Sequence, residues 1–100
     1  MALFGLINTQ ELEEFATMLA NDLGRRFPPA SESRTDPGAK FQLKVILEGL
    51  GARAVRYHAE HKLSVYKKAK LGNAFKWSLR DAGYDVDYVN ELTEWLMLRV

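Results

Sequence analysis

The chain has no cysteine among its 100 residues. It therefore has no disulfide framework, no cysteine-ligated zinc site and no thiol nucleophile, and this composition is compatible with a reducing compartment. Histidine is nearly as scarce. His58 and His61 lie three residues apart, a spacing common for metal ligands on one helix face, but no third histidine completes a set. We expect hydrogen-bonded imidazoles, with His61 partly buried, and neither a metal site nor a bound cofactor.

Long hydrophobic runs are also missing. The start, MALFGLIN, is apolar for only a few residues, lacks a positively charged beginning and has no small-residue cleavage site, so it is a poor signal peptide. No other apolar run approaches the roughly 18 residues that a membrane helix needs. We therefore expect a soluble, cytoplasmic protein that has no membrane partner.

Catalytic signatures are absent as well. Ser31 and Ser33 have no histidine near them in the sequence, and the Gly-Leu-Gly at residues 49–51 lies inside a helical pattern instead of a phosphate-binding loop. The acidic residues lie opposite apolar stripes, so they do not form a carboxylate pair in a shared pocket. We expect no enzymatic activity.

What the sequence does contain is helical periodicity. With 47% hydrophobic and 27% charged residues, the composition is near the globular average, and 100 residues suffice for one core. Apolar residues recur at three- and four-residue spacing along most of the chain. These features predict an all-α fold: a compact single-domain bundle of four or five helices around a central helix, spanning residues 1–100.

The first helix has clear boundary signals. The sequence NTQE offers Asn8 as the N-cap, and Ile7 can pack on Leu12 as a hydrophobic staple. Two consecutive prolines at positions 28 and 29 end this helix, because neither fits a helix interior. The turn-rich stretch PPASESRTDPG then predicts a surface loop at about residues 28–38, in which Thr35 or Asp36 before Pro37 resembles the start of the next helix.

The second helix, residues 38–61, has apolar residues on two sides. It is therefore predicted to be central in the bundle or to form part of a dimer interface. Gly49 and Gly51 each cost about 1 kcal/mol relative to alanine inside a helix, which close approach of a neighbouring backbone would explain. One apolar seam consists of Leu43, Leu47, Leu50, Ala54, Tyr57 and His61, and the opposite side carries Phe41, Val45, Ala52, Val55 and Ala59.

The stretch KLGNAFKW at residues 70–77 raises the question of a helix break. In one uninterrupted helix, Lys67 would project between Leu63 and Leu71, which is unfavourable for a lysine. A break at Gly72-Asn73 removes this conflict, because glycine can end one short helix and asparagine can cap the next. The residues then predicted to be buried are Val65, Tyr66, Ala69, Phe75, Ser78, Leu79 and Ala82.

The last helix is predicted at residues 86–98, after a stop at Gly83 and with Asp85 as its cap. Its core stripe contains Val89, Leu92 and Leu96, together with Tyr88 and Trp95, and its opposite side carries Asp87, Glu91 and Glu94. The helix therefore has an acidic outer face.

Charge is segregated along the chain, although the formal net charge is only +1. Residues 1–36 hold three arginines and six acids, for a net charge of −3; residues 37–80 hold ten basic and two acidic residues, for +8; and residues 81–100 hold one arginine and five acids, for −4. The basic middle segment suits an anionic partner. The alternative is that its helices pack between acidic neighbours that neutralise them.

Trp77 is predicted to lie on the polar side of its helix, among cations. We therefore take as a candidate interaction surface Lys67, Lys68, Lys70, Lys76, Trp77 and Arg80. An exposed indole at this place would contact a protein partner or stack on nucleic-acid bases. The structural alternative is that the N-terminal ALFGLI or the last helix covers the Trp77 ring.

These observations lead to two functional hypotheses. The first is a noncatalytic protein-interaction module whose partner is another protein or a second copy of the chain, forming a homodimer. The second is a small nucleic-acid-binding accessory protein that uses the same basic ridge. Comparison with a DNA-binding helix-turn-helix supports the nucleic-acid hypothesis only weakly. If Gly72 is placed in the turn, Lys68 falls where a small packed residue is expected. If Gly83 is placed there, the recognition helix is too acidic to approach phosphates.

Overall fold

A computed structural model describes residues 9–100, and the regular secondary structure of this part of the chain is all helical, without strands. Its four helices pack as a bundle, which confirms the predicted all-α fold. Ile7 and Asn8 lie outside the described residues, and with them the predicted hydrophobic staple, but the N-cap of the first helix is Thr9 and not Asn8 as predicted. The elements are α1 (Gln10–Arg26), a 3-10 turn (Pro29–Ser31), α2 (Pro37–His61), α3 (Val65–Ala82) and α4 (Val86–Met97).

Helix α1 begins after Thr9, whose hydroxyl donates to the Glu13 carboxylate at 3.2 Å. The apolar residues that recur along α1 form its buried stripe: Leu12, Ala16, Leu19, Ala20 and Leu23. The helix ends at Arg26, and its C-cap Phe27 lies directly before Pro28, as the two prolines predict. Phe27 is itself buried, so the end of α1 is anchored in the core.

Helix α2 starts as the sequence indicates. Asp36 is its N-cap and accepts the Ala39 N–H at 3.0 Å, with Pro37 in the first turn. Three contacts hold α2 antiparallel to α1. Arg53 donates to Asp22 at 3.1 Å, the Gln42 amide donates to the Arg26 carbonyl at 3.0 Å, and the rings of Phe15 and Tyr57 stack with centroids 4.1 Å apart.

The predicted break at Gly72-Asn73 is wrong, because α3 runs through both residues as one helix. Gly72 is helical and buried, and a Cβ at this position would lie 2.5 Å from the sulfur of Met97 in α4. The glycine therefore allows α4 to approach the middle of α3 instead of ending a helix. Lys67 stays partly exposed, since a long lysine stem can lie along an apolar surface while its ammonium reaches water.

The uninterrupted helix changes which residues are buried. Its core side consists of Leu71, Gly72, Phe75 and Leu79. Val65, Tyr66 and Ala69, which a break would have buried, are exposed. Ala82 is exposed as well, whereas Ser78 is partly buried and its hydroxyl lies 3.2 Å from that of Thr17 in α1.

Helix α3 makes its most extensive contacts with α1 and α4, whereas α2 lies at one side of this group. Within residues 9–100, α2 is therefore not the central helix of the bundle, and the alternative that it forms part of a dimer interface stays a prediction. Its inner side packs on α1 and on the end of α4. No other part of residues 9–100 covers its outer side, and Phe41 there is 69% exposed.

The two glycines of α2 have different surroundings. A Cβ at Gly51 would lie 3.2 Å from the Trp95 ring and 3.1 Å from the Arg99 side chain, so a close approach does explain this glycine, although by side chains and not by a backbone. A Cβ at Gly49 would meet nothing within 4 Å. Packing inside the described chain thus accounts for only one of the two.

The turn from α3 to α4 is fixed by contacts with the segment that follows α1. Gly83 is left-handed at φ 103 and ends α3, and Asp85 caps α4 by accepting the Asp87 N–H at 3.1 Å, both as predicted. The Tyr84 hydroxyl donates to the Phe27 carbonyl. Glu32 accepts the Asp85 N–H at 3.1 Å. The start of α4 is therefore tied to the end of α1.

The two glycines of α2 give a matched pair of substitutions. We expect Gly49→Ala to stabilise the protein by up to about 1 kcal/mol, because it removes the helix penalty of glycine in open space. Gly51→Ala raises the helix propensity by the same amount, but its methyl group presses on the Trp95 ring. We therefore expect the stability to stay the same or to fall. Urea unfolding of dilute protein measures both, and equal effects of the two substitutions would contradict the packing of α4 on Gly51.

A second prediction concerns high pH. Burial raises the pKa of Tyr84 and that of Tyr88 to about 12, and the nearby Glu32 adds to the effect. In the unfolded chain both phenols titrate near their ordinary pKa of about 10. The stability that depends on neutral phenols is therefore complete below about pH 10 and is lost as the pH rises from 10 towards 12.

The measurement is urea unfolding as a function of pH in that range. We expect the double variant Tyr84→Phe/Tyr88→Phe to be less stable than the wild type at pH 8 to 9, since the bond to Phe27 is lost, but to lose less stability on going to pH 12. An equal decline in both proteins would mean that other groups, such as the lysines, cause it.

Candidate functional site

One side of α3 faces away from the core and carries two aromatic and two cationic residues. We call it the outer face of α3 and define it by Tyr66, Lys70, Asn73, Trp77 and Arg80. Their spacing of three or four residues places them on one side of a helix at about 100° per residue, opposite Leu71, Phe75 and Leu79. The continuity of α3 at residues 72 and 73 aligns both aromatic rings on this face.

Trp77 is 50% exposed, so helix α4 does not cover it. The ALFGLI segment, which was the other candidate cover, lies outside the described residues. The Arg80 guanidinium lies over the indole, with its carbon 5.2 Å from the ring centre. This cation–π contact holds a positive charge beside the exposed ring.

The same arrangement recurs about three turns earlier. Tyr66 is half-exposed, and the Lys70 ammonium lies 5.7 Å from its ring centre. Sequence reasoning missed Tyr66 because the expected break assigned it to the core. The eleven-residue separation from Trp77 was an available signal, since it amounts to about three helical turns and puts both rings on one side.

The six predicted surface residues do not all lie together. Lys70, Trp77 and Arg80 share the outer face of α3. Lys67 and Lys76 lie on its two flanks, each roughly 80° to 100° from Trp77 around the helix, and both are partly buried. Lys68 is nine residues from Trp77 and lies on the opposite side of α3. The basic residues therefore diverge around the helix and form no single ridge.

The cations of α3 are not neutralised by direct ion pairs. The ion pairs within residues 9–100 join Arg25, Arg26 and Arg53 to Asp22, and Arg34 to Asp36. None involves a lysine or arginine of α3. The acidic residues of α4, Asp87, Glu91 and Glu94, are exposed as predicted. Internal pairing with acidic neighbours, the alternative to a partner, therefore receives no support from contacts in this part of the chain.

The two histidines have local structural roles. The Nδ1 of His58 accepts the Leu63 N–H at 3.2 Å, which helps to close the turn after α2. His61 is exposed and not partly buried as expected; its Nδ1 lies 3.0 Å from the Tyr57 carbonyl, and its ring stacks on Tyr57 with centroids 3.9 Å apart. No group of three or more potential metal ligands occurs within residues 9–100.

The chain has no match among protein-family models, curated proteins or solved structures. Within residues 9–100, no helix combines the length and apolar character needed to cross a membrane. The outer face of α3 combines two half-exposed rings with two cations that have no carboxylate partner among residues 9–100, which is suited to contacts that are partly apolar and partly electrostatic.

The exposure of Trp77 can be tested by fluorescence quenching. In Trp95→Phe the only indole is Trp77, and we expect acrylamide to quench it efficiently because the ring is half in solvent. Trp77→Phe retains Trp95, which packs on Gly51 beneath the Arg99 guanidinium, and we expect weaker quenching. Equal quenching constants for the two variants would contradict the different placements of the indoles.

Proposed function

We propose that this protein is a noncatalytic interaction module that binds an acidic protein segment through the outer face of α3. The observation that carries the proposal is the pair of half-exposed aromatic rings, each with a cation stacked on it, on one side of a single helix. Large exposed aromatics and arginines are the residue types that dominate the energetics of protein contacts. A surface that keeps both without a partner among residues 9–100 favours binding over a purely structural role.

The chemistry of the face indicates the kind of partner. Lys70 and Arg80 attract carboxylates, whereas the edges and free faces of Tyr66 and Trp77 offer apolar contact. The two rings are about 16 Å apart along α3, estimated from the rise per residue. A partner helix or extended segment with acidic residues near two apolar side chains at this separation would fit.

Nucleic acid is the less favoured partner for two reasons. The cations of α3 point in different directions around the helix, so they do not offer a continuous track for phosphates. Asp81 is also exposed beside Trp77, and the acidic outer side of α4 belongs to a helix that packs directly on α3. Both would repel a phosphate backbone.

The test is a selection of displayed random peptides on immobilised protein, followed by binding measurements with the selected peptides. We expect them to be rich in Asp, Glu and apolar residues, and to bind at least tenfold more weakly to Trp77→Ala and to Lys70→Glu/Arg80→Glu. Lys68→Glu is the matched control for Lys70→Glu alone, because both change the net charge equally but Lys68 lies on the side of α3 opposite Trp77. Lys68→Glu should bind like the wild type apart from a small, salt-sensitive effect of net charge.

Mixed-sequence single-stranded DNA and RNA are measured in parallel at low and high salt. Peptides that bind Trp77→Ala as well as they bind the wild type would contradict the proposal. The nucleic-acid alternative would replace it if DNA or RNA bound in a way that required Trp77 and weakened steeply with salt, because release of counterions makes phosphate binding salt-dependent.

A further inference from the structure

Helix α2 has a second apolar stripe on the side that faces away from the core. We call it the outer stripe and define it by Phe41, Val45, Glu48, Ala52, Val55 and Ala59, all of which are exposed. Phe41 is 69% exposed, and Val45 and Val55 are each 46% exposed. The spacing alternates between four and three residues along the whole stripe, which is the pattern of helices that pair along a seam.

We propose that the outer stripe is the contact between two copies of this chain, which pair antiparallel through α2 about a two-fold axis near Leu50. The positions of the stripe are symmetric about residue 50, so an antiparallel pair would match residue 41 with 59, 45 with 55 and 48 with 52. Phe41 then meets the small Ala59 of the other copy, and Val45 meets Val55. The stripe is complementary to itself in side-chain size, which an isologous contact requires.

The single charged residue of the stripe selects the antiparallel arrangement. In a parallel pair Glu48 of one copy would face Glu48 of the other, and two carboxylates at one core position repel each other. In the antiparallel pair Glu48 faces Ala52. Ala52 lines a groove together with Lys40, Lys44 and Arg99, so the Glu48 carboxylate faces a part of the partner that carries cations.

The groove beside the stripe extends the contact. It has a volume of about 590 Å³ and lies between α2 and the end of α4, with Leu47, Val55 and Trp95 in its wall. Arg99 stacks on Trp95 with its guanidinium carbon 4.6 Å from the ring centre and belongs to no ion pair within residues 9–100. It is therefore available to a carboxylate from a second copy.

The size of the contact sets its expected strength. The stripe is about 27 Å long, and two strips of helix width bury on the order of 600 Å² before the groove is counted. This is below the roughly 1,600 Å² of a standard stable interface. We therefore expect a weak dimer that forms at high concentration, with an exchange between monomer and dimer that sedimentation can follow.

The first measurement is sedimentation equilibrium of the full chain from about 10 μM to about 1 mM, the range in which a weak contact shifts from monomer to dimer. The average mass should rise from the 11.4 kDa of one chain towards twice that value. Val45→Glu alone and Val55→Lys alone should each remain monomeric, because each would bury an unpaired charge against the partner. Both positions are exposed in the single chain, so both variants should fold like the wild type.

Mixing the two variants tests the register. In the antiparallel pair, the carboxylate introduced at position 45 faces the ammonium introduced at position 55 of the other copy, so the mixture should form a heterodimer. In a parallel pair each introduced charge would face a valine, and mixing would restore nothing. Val65→Glu is the control: Val65 is 84% exposed on α3, away from the stripe, and its substitution should leave dimerisation unchanged.

A wild-type chain that stays monomeric at about 1 mM would overturn the proposal and leave the stripe to a different protein. Single variants that dimerise like the wild type would overturn the stripe as the contact, and a mixture that stays monomeric would overturn the antiparallel register. The outer face of α3 is a separate surface, so none of these outcomes changes the binding expected of Tyr66 and Trp77.

Discussion

The packing of Met97 against Gly72 is the contact on which the functional surfaces depend. Because residue 72 lacks a side chain, the Met97 thioether lies where a Cβ would be, and α4 reaches the middle of α3. The surrounding residues Leu71, Phe75 and Leu79 can then be buried along one uninterrupted helix between α1 and α4. With the core side fixed in this way, the direction of every other residue of α3 is fixed as well. Tyr66 and Trp77 lie on one side only because the helix does not bend between them.

Much of the fold could be predicted from the sequence, because the decisive signals were local. The proline pair after α1, the Asp36-Pro37 start of α2, and Gly83 with Asp85 before α4 each determine the backbone within a few residues, and the helix bounds agree with them. Gly72 was interpreted wrongly for the same reason. Glycine followed by asparagine is a local stop signal, but here a tertiary contact with Met97, 25 positions later, compensates for the helix penalty of glycine. No local pattern reports such a contact.

The candidate site was predicted in part, and its errors follow from the error at Gly72. Lys70, Trp77 and Arg80 were grouped from the sequence and do share one face of α3. Trp77 and Arg80 both follow the supposed break, so they lie on the same helix in either interpretation, whereas Lys70 precedes it and was grouped only because it was expected to face solvent. Tyr66 was lost to the core, and Lys68 was assigned to the wrong side, since both precede the supposed break and their direction relative to Trp77 depends on it. The two apolar sides of α2 were recognised from periodicity alone. Periodicity shows that a face is apolar but not whether the same chain or another copy covers it.

The two open faces belong to different helices, and this separation has a consequence for binding. A chain that pairs through α2 keeps α3 outside the contact, so a dimer presents two copies of Tyr66, Lys70, Trp77 and Arg80. Each face is small, and a single acidic segment would bind it weakly. A partner with two such segments would bind the dimer more tightly, since the second contact forms at the high effective concentration set by the first. Weak self-association would therefore make binding depend on the concentration of the protein itself. The monomer would bind partners that have one acidic segment, and the dimer would favour partners that have two.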